Sequence, residues 1–273
     1  MPELPEVETT VRALREPLIG RAITAVTNDW PRQLATHDLA ALNWQIQGQR
    51  IEAVSRRAKY LLFHLSGGDT LIIHLKMSGH LSVVDAGRPR HKHVHTTFAL
   101  DNGRELRFKN MRKFGRVYLA ADTDEILGRL GPEPLADDFT PERLRARLHG
   151  RTRALKPLLL DQTFIAGIGN IYADETLFYA GLHPRRPANS LSPDENEALY
   201  TAIRKVLTMG IDREGASIDL YVKPDGSRGD MQNAVAVFRR TGLPCYHCQT
   251  PINRIVMNGR STHFCPHCQS IGS

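Results

Sequence analysis

The chain has 273 residues, 41% hydrophobic and 24% charged, and carries 36 Lys+Arg against 29 Asp+Glu for a formal charge of +7. This is the profile of an ordinary soluble globular protein, long enough for two domains and a sizeable core, and its basic balance favours an anionic partner, nucleic acid first. It has no apolar run long enough to span a bilayer and no basic-then-apolar secretory segment at its start, so a cytoplasmic location is expected.

The first residues are Met1-Pro2-Glu3-Leu4-Pro5-Glu6. A small residue behind Met1 normally permits its removal. Pro2 would then present a free secondary amine beside the Glu3 carboxyl group, a candidate nucleophile and acid/base pair. A solvated terminus is the ordinary alternative. Val7, Val11, Leu14 and Leu18 recur on one helical face, so a helix is expected over 5–20, stopped at Gly20. Such a helix would tether the N-terminus to a core.

Strand patterns dominate from about 22 to 120. Tyr60 to Leu65 and Leu71 to Leu75 flank Ser66-Gly67-Gly68-Asp69, a hairpin; Thr96 to Leu100 and Glu105 to Phe108 flank Asp101-Asn102-Gly103, a second. Val117-Tyr118-Leu119 adds a short strand, and the series suggests a β-sandwich or barrel. Gly131-Pro132-Glu133-Pro134 marks a linker. Helices follow: one opened by Thr140-Pro141 and running to about His149, one over 154–161 carrying Lys156, and one over 171–179. The last is opened by Ser192-Pro193-Asp194-Glu195 and runs to about Met209. The stretch from Gly215 to Asn233 is polar and contains glycine, and is expected to be a mobile loop.

All four cysteines lie in the tail. Cys245-x-x-Cys248 and Cys265-x-x-Cys268 are separated by 16 residues, the spacing of two knuckles supplying four thiolates to one tetrahedral zinc. A closed four-Cys site has no open coordination position, so the zinc is expected to be structural. The residues between can form a hairpin turning at Asn258-Gly259. His247, His263 and His267 lie close enough in sequence for a ligand swap. Arg254 and Arg260 on the hairpin could meet a phosphate or a base edge, or stay solvated.

Several stretches, in order, carry one resemblance. They are Pro2-Glu3-Leu4-Pro5-Glu6-Val7-Glu8-Thr9, Arg57-Ala58-Lys59-Tyr60-Leu61-Leu62, His74-Leu75-Lys76-Met77-Ser78-Gly79, Lys113-Phe114-Gly115, Leu130-Gly131-Pro132-Glu133-Pro134-Leu135 and Ala166-Gly167-Ile168-Gly169-Asn170-Ile171-Tyr172-Ala173. With the four-Cys tail they cover nearly the whole chain, which resembles the bacterial formamidopyrimidine-DNA glycosylases. The resemblance implies an α+β fold in three parts. These are an N-terminal catalytic β-sandwich with flanking helices (1–132), a helix-two-turns-helix DNA-binding domain (133–236) and a C-terminal β-hairpin zinc finger (237–273). It implies excision of oxidised purines from damaged double-stranded DNA by a monomeric enzyme with one structural Zn2+ and an abasic-site lyase activity.

The resemblance also implies roles. Pro2 would attack the sugar C1′ and form an iminium, Glu3 would protonate the ring oxygen, and Lys59 would assist base release and touch phosphate. A base inside a duplex is out of reach, so it must be flipped out. Met77, Arg112 and Phe114 would fill the gap, with Arg112 facing the orphaned cytosine. For Met77 and Phe114 the ordinary alternative is core packing. Asn170, in a Gly-rich turn before a helix, and Arg260 would bind phosphate, joined by Lys156 and His93. Lys156 could instead be a solvated helix charge, and the stretch from His91 to His95 could bind adventitious metal. Asn110-Met111-Arg112-Lys113 departs from the family's usual Asp-Pro-Arg-Arg, and Lys76 replaces a usual Gly. Two other readings compete: an endonuclease VIII-like enzyme for oxidised pyrimidines, and a zinc-containing damaged-DNA-binding protein without catalysis.

Overall fold

The computed structural model describes residues 1–271. Its first elements, in chain order, are α1 (Leu4–Leu18), β1 (Ile23–Asn28), α2 (Leu39–Ile46), β2 (Ile51–Arg57), β3 (Tyr60–Leu65), β4 (Thr70–His74), β5 (Gly79–Asp85), β6 (Val94–Leu100), β7 (Arg104–Asn110) and β8 (Arg116–Ala120). There follow α3 (Asp124–Leu127), α4 (Pro141–Leu148), α5 (Leu155–Leu159), α6 (Asn170–Tyr179), α7 (Pro193–Asp212), β9 (Asn253–Met257) and β10 (Arg260–Phe264).

The chain divides into two compact units, Met1–Arg129 with Arg213–Asp230, and Leu130–Asp212 with the chain from Met231 onward. These cut the chain differently from the three expected segments. Arg213–Asp230, placed by the sequence reading with the helical domain, belongs to the first unit, and the four-Cys tail belongs with the helices.

In the first unit two antiparallel four-stranded sheets, ordered β1-β6-β7-β5 and β2-β3-β4-β8, share one apolar core. The expected hairpins are present, β3 with β4 and β6 with β7. Val7, Val11, Leu14 and Leu18 are all fully buried in that core, so the apolar face of α1 docks on it as its spacing predicts. A short helix, α2, lies within the stretch where strand patterns dominate. Asp38 caps it by accepting from the Ala41 N–H at 2.8 Å.

The second unit packs α6 against α7 and β10, and α4 against α7. Thr140 caps α4 as expected, accepting from the Arg143 N–H at 3.3 Å. α7 runs three residues beyond the expected end.

Candidate active site and metal centre

Glu3 is the N-cap of α1, and Pro2, Glu3 and Lys59 are all buried. Met1 is exposed, and the chain is anchored from Pro2 onward. Glu6, three residues beyond Glu3, explains how. Its Oε2 accepts the Glu3 N–H at 2.8 Å, and its Oε1 accepts the Ala216 N–H at 2.8 Å. One buried carboxylate thus fixes both the start of the helix and the segment Arg213–Asp230. Lys59 sits in the two-residue turn of the β2–β3 hairpin, where Ala58 takes a left-handed φ of 54°. α1 packs on β2 and β3, so the same pair of strands carries Lys59 and supports the helix that begins at Glu3.

His74, paired across the sheet with Tyr60, is buried, and its ring meets Tyr60 edge-on at 4.4 Å. Its Nδ1 accepts the Lys76 N–H at 2.9 Å. Burial, helped by the Lys76 and Lys59 charges, pulls its pKa down to about 3, so the ring is neutral. Tyr221 is held in its protonated form by burial and by the Glu6 charge.

The segment Arg213–Asp230 is closed at its neck, where Arg213 Nη1 meets Asp230 Oδ2 at 2.5 Å. Ser217 Oγ accepts the Gly229 N–H at 3.0 Å, and Lys223 pairs with Glu214 at 2.6 Å. His80 Nε2 donates to the Lys223 carbonyl at 3.0 Å. The stretch is the loop the sequence reading expected, and it is tied to itself and to β5. Between it and the β5–β7 face lies a cavity of about 400 Å³ lined by Ser78, His80, Lys109, Met111, Leu220 and Val222, among others.

Met77 and Phe114 are 42% and 53% exposed, so neither packs in the core, the ordinary alternative for both. They stand on the β4–β5 and β7–β8 loops with Arg112, whose guanidinium donates to Met77 Sδ at 3.3 Å. His93 is half-buried beside His91, their ring centres 5.2 Å apart. The four cysteines are the one group of three or more possible metal ligands brought together among the described residues.

In the second unit Asn170 is the first residue of α6, preceded by Gly169 at the N-cap. Its Nδ2 donates to the Ser261 carbonyl at 3.1 Å, next to Arg260. Lys156 is not a solvated helix charge. Its side chain is 1% exposed, with Nζ 2.6 Å from Asp174 Oδ1 and 2.7 Å from the Ser261 carbonyl. Asp174 Oδ2 accepts from His263 N and Nδ1, each at 2.9 Å. The reading from sequence missed this network and the buried Glu175, which accepts the N–H groups of Ala236, Val237 and Phe238 at 2.6 to 3.0 Å. Burial pushes Glu175 up to about 7 against the pull of those three donors. A carboxylate pair inside a mostly apolar helix was the available signal.

The sulfurs of Cys245, Cys248, Cys265 and Cys268 lie within 4.8 Å of one another, with Cys245–Cys268 at 3.9 Å, Cys248–Cys265 at 3.4 Å and Cys248–Cys268 at 3.5 Å. Tetrahedral zinc with bonds of about 2.3 Å requires separations of about 3.8 Å, so the set fits one zinc ion. The His247 and Cys268 N–H groups each donate to a thiolate at 3.4 Å, as outer partners of metal ligands do. The ligand swap is not taken up: His263 is engaged by Asp174, and His247 lies against Phe178. The β9–β10 hairpin turns at Asn258-Gly259, both left-handed, and pairs Arg260 with Met257.

Comparison with known proteins covers these parts one by one. Residues 1–117 match the formamidopyrimidine-DNA glycosylase N-terminal domain, 130–222 the H2TH domain of the same enzymes, and 242–271 the zinc finger found in FPG and IleRS. Formamidopyrimidine-DNA glycosylases of Chloroflexus aggregans and Herpetosiphon aurantiacus are 50% and 47% identical. The matches cover 98% and 99% of this chain, and 98% and 100% of theirs. Among solved structures, a Lactococcus lactis FPG mutant bound to Fapy-dG-containing DNA superposes with a TM-score of 0.92 at 38% identity, over 98% of this chain and all of that one. MutM bound to carbocyclic 8-oxo-G-containing DNA gives 0.91 at the same identity and coverage. With sandwich, helical domain and zinc finger matched in order and over full length, the chain belongs to the formamidopyrimidine-DNA glycosylase family.

Proposed function

We propose that the protein excises oxidised purines, 8-oxoguanine and formamidopyrimidines, from duplex DNA and then cleaves the strand at the abasic site, with Pro2 as nucleophile. Removal of Met1 frees the Pro2 nitrogen. A free α-amine has a pKa near ~7.7–8, so a useful neutral fraction exists at neutral pH. Its lone pair attacks C1′ and the C1′–base bond breaks, its electrons leaving with the base. The attacking nitrogen gives up its one proton, which the departing base takes up, and protonation of the ring oxygen by Glu3 then opens the sugar to an iminium. The secondary amine has no second proton to lose, so the positive charge is fixed and acts as an electron sink. Loss of a C2′ proton then expels the 3′ phosphate, and a second elimination expels the 5′ phosphate. Lys59 assists base release and phosphate binding.

The observation that carries this reading is the burial of Pro2 and Glu3 at the first turn of α1, where Glu6 fixes the backbone. A terminus with no task is normally loose. Met77, Arg112 and Phe114 are proposed to enter the duplex, and an exposed thioether and phenyl on two adjoining loops suit that task. Asn170, Arg260, His93 and Lys156 are proposed for the phosphate backbone, Lys156 by holding the Ser261 carbonyl beside Arg260. We place the protein in the bacterial cytoplasm, on the nucleoid, as a monomer. The zinc ion supplies no chemistry to the reaction; it holds the hairpin that carries Arg260.

Glu3→Gln tests the assignment. Excision of 8-oxoguanine opposite cytosine is expected to fall by about 10²–10⁴-fold, with binding to the damaged duplex retained. Unchanged excision would remove Glu3 from the chemistry. Faster release of thymine glycol than of 8-oxoguanine by the unmodified enzyme would move the protein to the pyrimidine branch.

A further inference from the structure

The loops that carry Met77 and Arg112 start from one rung of one sheet. Gly79 opens β5, Asn110 closes β7, and the two are paired across the ladder. From that rung the chain runs back through Ser78 to Met77 on one side and forward through Met111 to Arg112 on the other.

A single hydroxyl ties the two loops together. Ser78 Oγ donates to Asn110 Oδ1 at 3.2 Å and accepts the Arg112 N–H at 3.0 Å. Asn110 is fully buried and has two further ties. Its N–H donates to the His93 carbonyl at 2.7 Å, and its carbonyl accepts the Lys113 N–H at 3.1 Å. Three loops therefore converge on one side chain and its peptide groups.

Two features show that the arrangement is built tightly. A Cβ at Gly115 would lie 2.0 Å from Asn110 Nδ2, so only glycine lets the β7–β8 loop close over this amide. The residues just before two of the inserts, Lys76 before Met77 and Lys113 before Phe114, both hold left-handed φ angles of 52° and 58°. That region is costly for a residue with a Cβ and persists where surrounding contacts determine it.

We propose that Asn110 and Ser78 are positioning residues that hold the loops in register, so that Met77 and Arg112 enter the duplex as one unit. This rests on the reading that those side chains fill the gap left by the flipped base. The consequence is specific. Extruding a stacked, paired nucleotide costs unstacking and unpairing energy, which the inserts must offset together. A preformed abasic site has no base to extract, so strand cleavage there should depend little on the bridge.

The experiment compares single-turnover excision of 8-oxoguanine opposite cytosine with cleavage of a preformed abasic duplex. It uses Ser78→Ala, Asn110→Ala, the double variant and Arg112→Ala. For Ser78→Ala, excision is expected to fall about tenfold, the order expected for losing a pair of hydrogen bonds, with abasic cleavage within about twofold of the unmodified enzyme. The double variant should excise no more slowly than the worse single one, because both remove the same bridge. Should Asn110→Ala fail to fold, Ser78→Ala alone decides. Unchanged excision in Ser78→Ala, or an equal loss on both duplexes, overturns the bridge. A bridge loss that adds fully in the double variant also overturns it. Arg112→Ala separates this failure from that of the underlying reading. If it too spares excision or affects both duplexes equally, the insertion role itself is wrong; if it is selective while Ser78→Ala is not, only the bridge fails.

Discussion

His74 shows how one residue can record the field around a site. It is neutral when folded because burial and the Lys76 and Lys59 charges pull its pKa to about 3, whereas an unfolded chain would protonate it near 6.5. Between those values the unfolded state binds the extra proton, so stability falls as pH is lowered through that window. From about pH 7.5 to about pH 5 the expected loss is about 2 kcal/mol from this residue. His74→Asn, which keeps an acceptor for the Lys76 N–H, should flatten that slope in urea unfolding; an unchanged slope would mean that His74 is not the group responsible. Other residues were legible only by type. Met77 and Phe114 are apolar, and apolar side chains default to the core. Their exposure follows from where two strand-connecting loops point, which no local pattern encodes. Lys156 fails the opposite way: its partners Asp174 and Ser261 are distant in sequence, so a charge that reads as solvated is buried.

At the level of elements, legibility followed the range of the forces. α1 was readable because its apolar face has helical period, and the β3–β4 and β6–β7 hairpins because their turns are local chemistry. The two Cys-x-x-Cys knuckles and the Asn258-Gly259 turn are likewise local. α2 was missed, being a two-turn helix of eight residues inside strand-like surroundings. The segment Arg213–Asp230 was assigned to the helical domain only through the bounds that the resemblance implies, 133–236. Its attachment to Glu6 and His80 spans more than a hundred residues, and sequence proximity carries no trace of that. α6 depends on a similar long-range tie through Glu175. Glu175→Gln replaces an oxygen with a donor facing a backbone N–H, and is expected to cost about 1–3 kcal/mol in thermal or denaturant unfolding. A variant as stable as the parent would show that the three donors are satisfied in another way.

For the molecule as a whole, net charge and zinc argue for the same partner. A formal charge of +7 favours association with a polyanion, and one zinc ion among four thiolates stabilises the hairpin that presents Arg260. A strong chelator should release one zinc per chain and weaken binding to damaged duplex about tenfold or more, with metal and affinity measured on the same sample. A metal-free chain that binds as before would contradict the role given to the finger. The central claim concerns the other end of the chain, the buried Pro2. Borohydride trapping on duplex containing 8-oxoguanine opposite cytosine tests it most directly. With Met1 shown by mass to be absent, the account predicts a covalent protein–DNA adduct mapping to the Pro2 nitrogen. An adduct on Lys59 or another lysine, or none despite tight binding, would contradict it.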